Sequence, residues 1–339
     1  MSAPRGPVES PGPWTRGVDC TSPDALNVAA FVLTRDRKAL LVECLRALIP
    51  QANYVIVLDN ASSDGTRELL AQTGLLEQVY YLRSEENIGG AGGYRRGVEL
   101  ALTTGVEWIW FMDDDAEPRP DALARLLSAP AAADPATVAL ATSVVHPDGT
   151  VDVLHRCRHG RLITPIPAPY PGPLDVDCAS FVGLLVRADA ARAAGLPLAE
   201  FFIGYDDAEW SLRLRRGGGR IRLVPDAVML HKLPVGGTAP TRRSRFWNRA
   251  LGLSYESAPW GSYWKDLYRV RNFMWIKTVH DGAGGAECAL LTALYCVKAL
   301  LYDERPLRRL PWIVRYAIKG RRSDFSALTP AAWVRRSSA

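Results

Sequence analysis

No C-x-x-C pair occurs in this sequence. Its six cysteines, Cys20, Cys44, Cys157, Cys178, Cys288 and Cys296, are scattered, which argues against a disulfide framework or a cysteine zinc site and fits a reducing cytosol. No stretch reaches the ~20 apolar residues of a membrane-spanning helix. Residues 1–24 are rich in Pro, Gly and Ser and lack an apolar h-region, so they read as a disordered leader rather than a signal peptide. Neither sign of charge dominates: the net is +5. The clustered basic patch with interleaved aromatics that nucleic acid would require is not obvious.

Apolar residues are plentiful, 48% of 339, enough for a large core in one domain or two. From Asn27 a regular alternation begins. Short apolar runs at 28–33, 54–58, 79–83 and 108–112 read as strands, and segments of helical period at 38–48, 66–70 and 94–103 lie between them. The pattern predicts an α/β fold, a doubly wound and mostly parallel sheet. Right-handed crossovers then bring the carboxyl ends of the strands to one edge, where ligands of such sheets bind. Four polar clusters fall at that edge: Thr34-Arg35, Asp59-Asn60, the loop Asn87-Ile88-Gly89-Gly90-Ala91-Gly92-Gly93, and Asp113-Asp114-Asp115.

Three acids at the end of a buried strand cannot be core, because an unpaired buried carboxylate is too costly. They need a cation, and hard divalent ions take carboxylate oxygens. The plainer alternative is a solvated acidic turn, with Asp115 or Asp121 capping the next helix. The glycine loop permits close backbone approach and positive φ. It presents either a helix N-terminus to a pyrophosphate or a tightly packed contact with the sheet. A second acidic cluster, Asp206-Asp207-Ala208-Glu209, complements a helix dipole and can also offer a general base. One acidic cluster for a metal and one for a base is the minimal kit for metal-assisted group transfer. Residues 155–159, His-Arg-Cys-Arg-His, read as an ordinary exposed strand, since the arginines and the want of a fourth ligand argue against a metal. His231 alone reads as a satisfied histidine at a strand end.

Taken together, over roughly residues 27–232, these motifs resemble glycosyltransferase family 2, the GT-A nucleotide-sugar transferases. Met112-Asp113-Asp114-Asp115 is similar to the family's Asp-x-Asp motif, and Tyr205-Asp206-Asp207-Ala208-Glu209-Trp210 to its catalytic-base segment. The combination looks most like the actinobacterial galactofuranosyltransferases of cell-wall galactan, with residues 264–272 similar to a segment beyond their catalytic core. Related rhamnosyltransferases share most of these motifs. The resemblance implies an inverting transfer from a UDP-sugar donor, with galactofuranose expected and dTDP-rhamnose the alternative donor. It implies that Asp113, Asp115 and His231 hold Mn2+ or Mg2+ on the diphosphate. It assigns Thr34, Arg35, Asp59, Asn60, Asn87, Gly89, Gly90, Gly92 and Asp114 to the nucleotide sugar, and Asp207 to the base. Asp206, Glu209, Trp210, Trp264 and Arg271 are expected near the acceptor, a lipid-linked glycan.

The implied organisation is a leader over 1–24, a catalytic domain over 25–240, and a helical region over 241–339 for acceptor and membrane contact. Residues 241–277 are dense in Arg, Trp and Tyr, and 307–322 are basic with interleaved apolar residues. That suits an anionic membrane surface at the inner face of the cell membrane, or else a helical subdomain with a solvated basic face. A homo-oligomer is compatible with this sequence. Two rivals stand outside the class. A nucleotidyltransferase would carry a lysine-containing, glycine-rich loop where Thr34-Arg35-Asp36-Arg37 stands, and a non-enzymatic binding module would not need both acidic clusters plus His231.

Overall fold

A computed structural model describes residues 27–232, 242–251, 258–327, 329–330 and 332–333. The expected leader over 1–24 and the boundary at 240/241 lie outside the described residues. The first part is β1 (Val28–Thr34), α1 (Lys38–Leu48), β2 (Tyr54–Asp59), α2 (Thr66–Gln72), β3 (Tyr80–Arg83), α3 (Gly89–Thr103) and β4 (Trp108–Asp113). Then come β5 (Ala116–Pro118), α4 (Ala122–Ser128), α5 (Pro130–Ala133) and β6 (Thr137–Val145). The short strands β7 (Arg156–His159), β8 (Ile163–Pro165), β9 (Leu174–Val176) and β10 (Cys178–Ala179) precede β11 (Leu184–Arg187). The rest is α6 (Ala188–Ala194), α7 (Asp206–Leu214), β12 (Arg220–His231), α8 (Arg242–Leu251), α9 (Trp264–Val279), α10 (Gly285–Tyr302) and α11 (Pro306–Arg321).

The main sheet runs β3-β2-β1-β4-β11-β6-β12-β5, with β9 added on β12. β3, β2, β1 and β4 are mutually parallel, as are β6 and β12. The antiparallel pairings come from β11, β5 and β9, so the α/β sheet is wound as expected and its parallel character resides in six strands. Those six end at one edge: Thr34, Asp59, Arg83, Asp113, Val145 and His231.

The central strands explain their own composition. In β1, Val28, Ala30 and Val32 enter one core while Ala29 and Phe31 enter the other. In β4, Trp108, Trp110 and Met112 divide from Ile109 and Phe111 in the same way. A strand covered on both faces reads as a continuous apolar run. A third core lies among α9, α10 and α11, around Phe273, Met274, Leu291, Ile313 and Tyr316.

Some elements differ from expectation. The strand expected over 178–186 divides into β10 and β11, because Gly183 turns at φ +72°, where an added Cβ would lie 2.0 Å from Thr142 Oγ1. The two short strands expected at 221–224 and 227–230 form one, β12, with an irregularity between Val224 and Val228. Helix α3 starts at Gly89 rather than Tyr94, so the glycines lie inside its first turns. The small residues let α3 lie close on β1: an added Cβ would stand 2.4 Å from Leu33 at Gly93 and 2.6 Å from the Phe31 ring at Gly97. Phe31 is fully buried in the middle of the sheet and has no room to move. Gly97→Ala should therefore cost roughly 1–3 kcal/mol, read as a lower urea midpoint with unchanged slope. A wild-type midpoint would refute this close packing.

Candidate functional site

Asp114 is nine-tenths or more buried and its partners account for that. Thr34 Oγ1 donates to Oδ2 at 2.8 Å, the Arg35 backbone N–H to the same oxygen at 3.2 Å, and Arg37 Nη1 to Oδ1 at 3.1 Å. Arg37 Nη1 also donates to Asp115 Oδ2 at 2.9 Å. Asp115 Oδ1 is buried with no hydrogen-bond partner and lies 3.4 Å from His231 Nε2. Asp113 accepts a short hydrogen bond from the Tyr94 hydroxyl. Burial, then the charges of Asp115 and Asp114, push Asp113 up to about 7. Burial opposes the charge on Asp115 too, but His231 and Arg37 outweigh it and hold that carboxyl below its usual range. Burial works against a charged His231; Asp115 and Asp152 overcome it and raise the ring to about 9. Asp115 is thus no helix cap, and Asp121, beside the start of α4, pairs with Arg125 instead of capping through its side chain.

Asp113, Asp115 and His231 each offer a ligand atom, all within 4.8 Å of one another. Carboxylate oxygens with one imidazole suit a hard or borderline divalent ion. The partnerless, buried Asp115 Oδ1 is the atom such an ion would satisfy.

The flanking loops are tied to this edge. Asp59 accepts from the Ser62 N–H at 2.7 Å and the Tyr81 hydroxyl at 2.5 Å, with Arg83 Nε 3.8 Å away. Asn60 clips β2 to the start of α3: its Nδ2 donates to Asn87 Oδ1 and the Gly89 carbonyl, and its Oδ1 accepts from the Ile88 N–H at 2.9 Å. Gly89 has φ +75°, and an added Cβ would lie 2.3 Å from the Phe202 carbonyl. At Gly92 the nearest side chain is Ile88, whereas Gly90 faces Asp206, whose Oδ2 lies 4.0 Å from an added Cβ. Packing thus accounts for Gly89 and Gly93, and Gly90 opens toward the second acidic pair.

That pair opens α7. Burial, then the charge of Asp207, raises Asp206 to about 8. Burial also raises Asp207, against hydrogen bonds from its own turn and the charges of Arg156 and Arg269. Asp207 lines a cavity of about 450 Å³ with His155, Cys157, Ser180, Tyr205 and Arg269.

The loop before α7 carries positive φ at Phe202, Gly204 and Tyr205, and α9 holds it there. Asn272 Nδ2 donates to the carbonyls of Phe201, Ile203 and Gly204 at 3.0, 3.2 and 2.8 Å. Arg271 donates to Glu200, Phe201 and Phe325 carbonyls.

The residues expected near the acceptor therefore separate. Arg271 is fully buried in this bracket, Trp210 is fully buried in the core, and Glu209 is buried between Arg213 and His280. Asp206 lies beside Asp207, and Trp264 packs edge-on to Phe202 and Tyr268. Residues 155–159 are not an exposed strand: His155 and Arg156 are buried, and Arg156 donates to the Thr142 and Val182 carbonyls. Sequence reasoning passed over Arg37, Tyr94, Asp152 and His155. Two of them carried a signal: Arg37 as a cation at a strand end, and His155 within the His-Arg-Cys-Arg-His run that reads as exposed strand.

Fold and site together define a glycosyltransferase of the GT-A class. The sequence profile described as Glycosyl transferase family 2 matches residues 30–187, and the chain belongs to that family. It is 35% identical over 216 residues to galactofuranosyltransferase GlfT1 of Mycolicibacterium smegmatis, covering 60% of this chain and 70% of that protein. It is 24% identical over 267 residues to the dTDP-rhamnosyl transferase RfbF of Shigella flexneri, covering 75% of this chain and 81% of that one. A crystal structure of GalNAc-T7 with UDP, GalNAc and Mn2+ shares the fold, at TM-score 0.51 and 16% identity over 75% of this chain and 51% of that one.

Asn272→Ala should strand three loop carbonyls, costing about 1–3 kcal/mol and lowering kcat while UDP affinity holds. Denaturant melts, turnover and UDP titration check this; an unchanged kcat would show that α9 does not set the Asp207 loop.

Proposed function

We propose that this enzyme moves galactofuranose from UDP-galactofuranose to a hydroxyl of a lipid-linked glycan, with inversion and with a divalent metal. The observation that carries the reading is the gathering of two acidic pairs at one sheet edge, one beside His231 and the other opening on a cavity. Asp113, Asp115 and His231 would hold the ion, Mn2+ being favoured by the imidazole. When bound, the ion supplies positive charge where the leaving diphosphate accumulates negative charge. Asp114, braced by Thr34 and Arg37, sits beside that position for the ribose or sugar. Thr34, Arg35, Asp59 and Asn60 form the strand ends for the nucleoside, although Asp59 already accepts from Tyr81 and Ser62 and must exchange one partner to receive a base N–H.

Asp207 takes the proton from the acceptor hydroxyl as that oxygen attacks the anomeric carbon. Asp206, raised to about 8, keeps its proton at neutral pH and spares Asp207 a second adjacent charge. One base suffices because the nucleotide departs without protonation, unlike the paired carboxylates of glycosidases. The relative from Shigella spans more of this chain than GlfT1 does, which keeps dTDP-rhamnose as the second donor to test.

For the acceptor's lipid we propose a membrane-facing surface on α10 and α11. Leu290, Leu294 and Val297 of α10 and Leu307, Val314 and Ile318 of α11 are exposed, with Arg308, Arg315 and Arg321 among them. Exposed apolar side chains with arginines interspersed along the chain suit an anionic lipid surface. Among the described residues α10 is the one helix long and apolar enough to cross a membrane by length and composition, yet Cys288, Leu291 and Ala299 pack it onto the helical core.

Asp207→Asn should abolish transfer and leave UDP binding nearly intact, while EDTA should stop wild-type turnover. Equal loss of both functions in the variant would sink the base, and full activity in EDTA would remove the metal. Running UDP-galactofuranose against dTDP-rhamnose decides the donor. Co-sedimentation with phosphatidylglycerol vesicles should fall when Leu294 and Leu307 are both changed to Asp; undiminished binding would remove the α10–α11 surface.

A further inference from the structure

His231 has two ring nitrogens and only one can serve an ion beside Asp113 and Asp115. Nε2 faces that pair, 3.4 Å from Asp115 Oδ1. Nδ1 points the other way, buried and without a hydrogen-bond partner. A buried ring nitrogen left unpaired is costly, and among the described residues the carboxylate it faces is Asp152, whose Oδ2 is 3.8 Å away.

Asp152 is itself held firmly. It is buried, its backbone N–H donates to the Val144 carbonyl at 2.9 Å, and its Oδ1 accepts from the Leu154 N–H at 3.1 Å. Its Oδ2 accepts from His155 Nε2 at 3.1 Å. Because a carboxylate only accepts, the His155 proton sits on Nε2, and the Ser180 hydroxyl donates to Nδ1 at 2.7 Å. The His155 and His231 rings meet edge to face, 4.9 Å between centroids. Asp152, His155 and Ser180, linked by hydrogen bonds, therefore stand behind His231 on the side of its Nδ1.

We propose that Asp152 is a positioning residue for the metal site: it receives the Nδ1–H of His231 and so commits Nε2 to the ion between Asp113 and Asp115. A carboxylate behind a ligating imidazole fixes its tautomer and orientation and raises its basicity. His155 and Ser180 orient that carboxylate. The inference rests on the metal reading above. A rival use of the same atoms exists, since Asp152, His155 and His231 also offer ligand atoms within 4.8 Å of one another. In that case they would take an ion of their own.

The test is Mn2+ titration followed by the electron paramagnetic resonance of free Mn2+, with UDP present, on wild type and Asp152→Asn. One ion per chain is expected in wild type, and a Mn2+ dissociation constant raised about 10–100-fold in the variant, with UDP binding without metal unchanged. Wild-type Mn2+ affinity in Asp152→Asn, or a second ion per chain lost in it, overturns the proposal and leaves the Asp113–Asp115–His231 reading standing. No Mn2+ binding by wild type overturns both. Should Asp152→Asn fail to fold, nitrogen-15 spectra of wild-type histidines with Mg2+ and UDP decide instead. His231 protonated on Nδ1 supports the role, and a deprotonated Nδ1 ends it.

Discussion

The site depends on a charge problem created by the sheet. Parallel strands deliver their carboxyl ends to one edge, and here β4 delivers three consecutive carboxylates there, Asp114 and Asp115 both buried. Burying anions without compensation costs several kcal/mol each. The chain answers with Arg37 across Asp114 and Asp115, Thr34 on Asp114, Tyr94 on Asp113 and His231 on Asp115. Asp152 and Asp206 stand close behind. Acids outnumber the cations set against them, and Asp115 Oδ1 has no hydrogen-bond donor of its own. A divalent ion with a diphosphate meets both conditions at once, because the ion serves the carboxylates and its own surplus charge serves the phosphates.

The second constraint is mechanical. To serve as the proposed base Asp207 must be held at a set distance from the substrate, yet it follows a loop whose backbone turns into positive φ at three positions. Such conformations persist only where the surroundings impose them. Here α9 does so by capping loop carbonyls with Arg271 and Asn272, and the Glu209–Arg213–His280 cluster fastens α7 from its other side. Of the residues expected at the acceptor, Glu209, Trp210 and Arg271 are thus buried in the packing around the Asp207 loop and α7. The cavity that Asp207 lines is shared with His155, Cys157, Ser180, Tyr205 and Arg269.

What could be read from the sequence follows from locality. Buried strands announce themselves as apolar runs, and acids at their ends stand out because no core can absorb them, so β1 to β4 and Asp113 to Asp115 were legible. Their edge was legible too, since handedness leaves parallel strands little choice. Arg156 was misread because its compensation is carbonyl oxygens from Thr142 and Val182, which leave no mark in side-chain pattern. Asp152 and His155 were missed for a different reason: they come together with His231 only when β6 and β12 lie side by side, 76 residues or more apart in the chain. The glycines of α3 stayed ambiguous in sequence for another reason. Gly93 and Gly97 recur at helical spacing because α3 rests on Leu33 and Phe31, and a glycine needed for packing looks in sequence like one needed for phosphate.

The two acidic pairs differ in what their neighbours do to them, and that difference divides the chemistry. Asp115 has His231 and Arg37 against it and stays anionic, whereas Asp113, pressed by Asp115 and Asp114, is pushed up to about 7. At the second pair burial raises both members and Asp206 bears the further charge of Asp207. Of the two, Asp207 lines the cavity, the placement a lone general base would need. The first pair has an anion, Asp115, facing an imidazole, the arrangement that the proposed metal binding would use. The second opens on a cavity, the arrangement that the proposed proton transfer would use. Both arise from neighbouring aspartates, and their partners distinguish them: Asp115 has His231 and Arg37 close by, while on Asp207 burial outweighs the charges of Arg156 and Arg269.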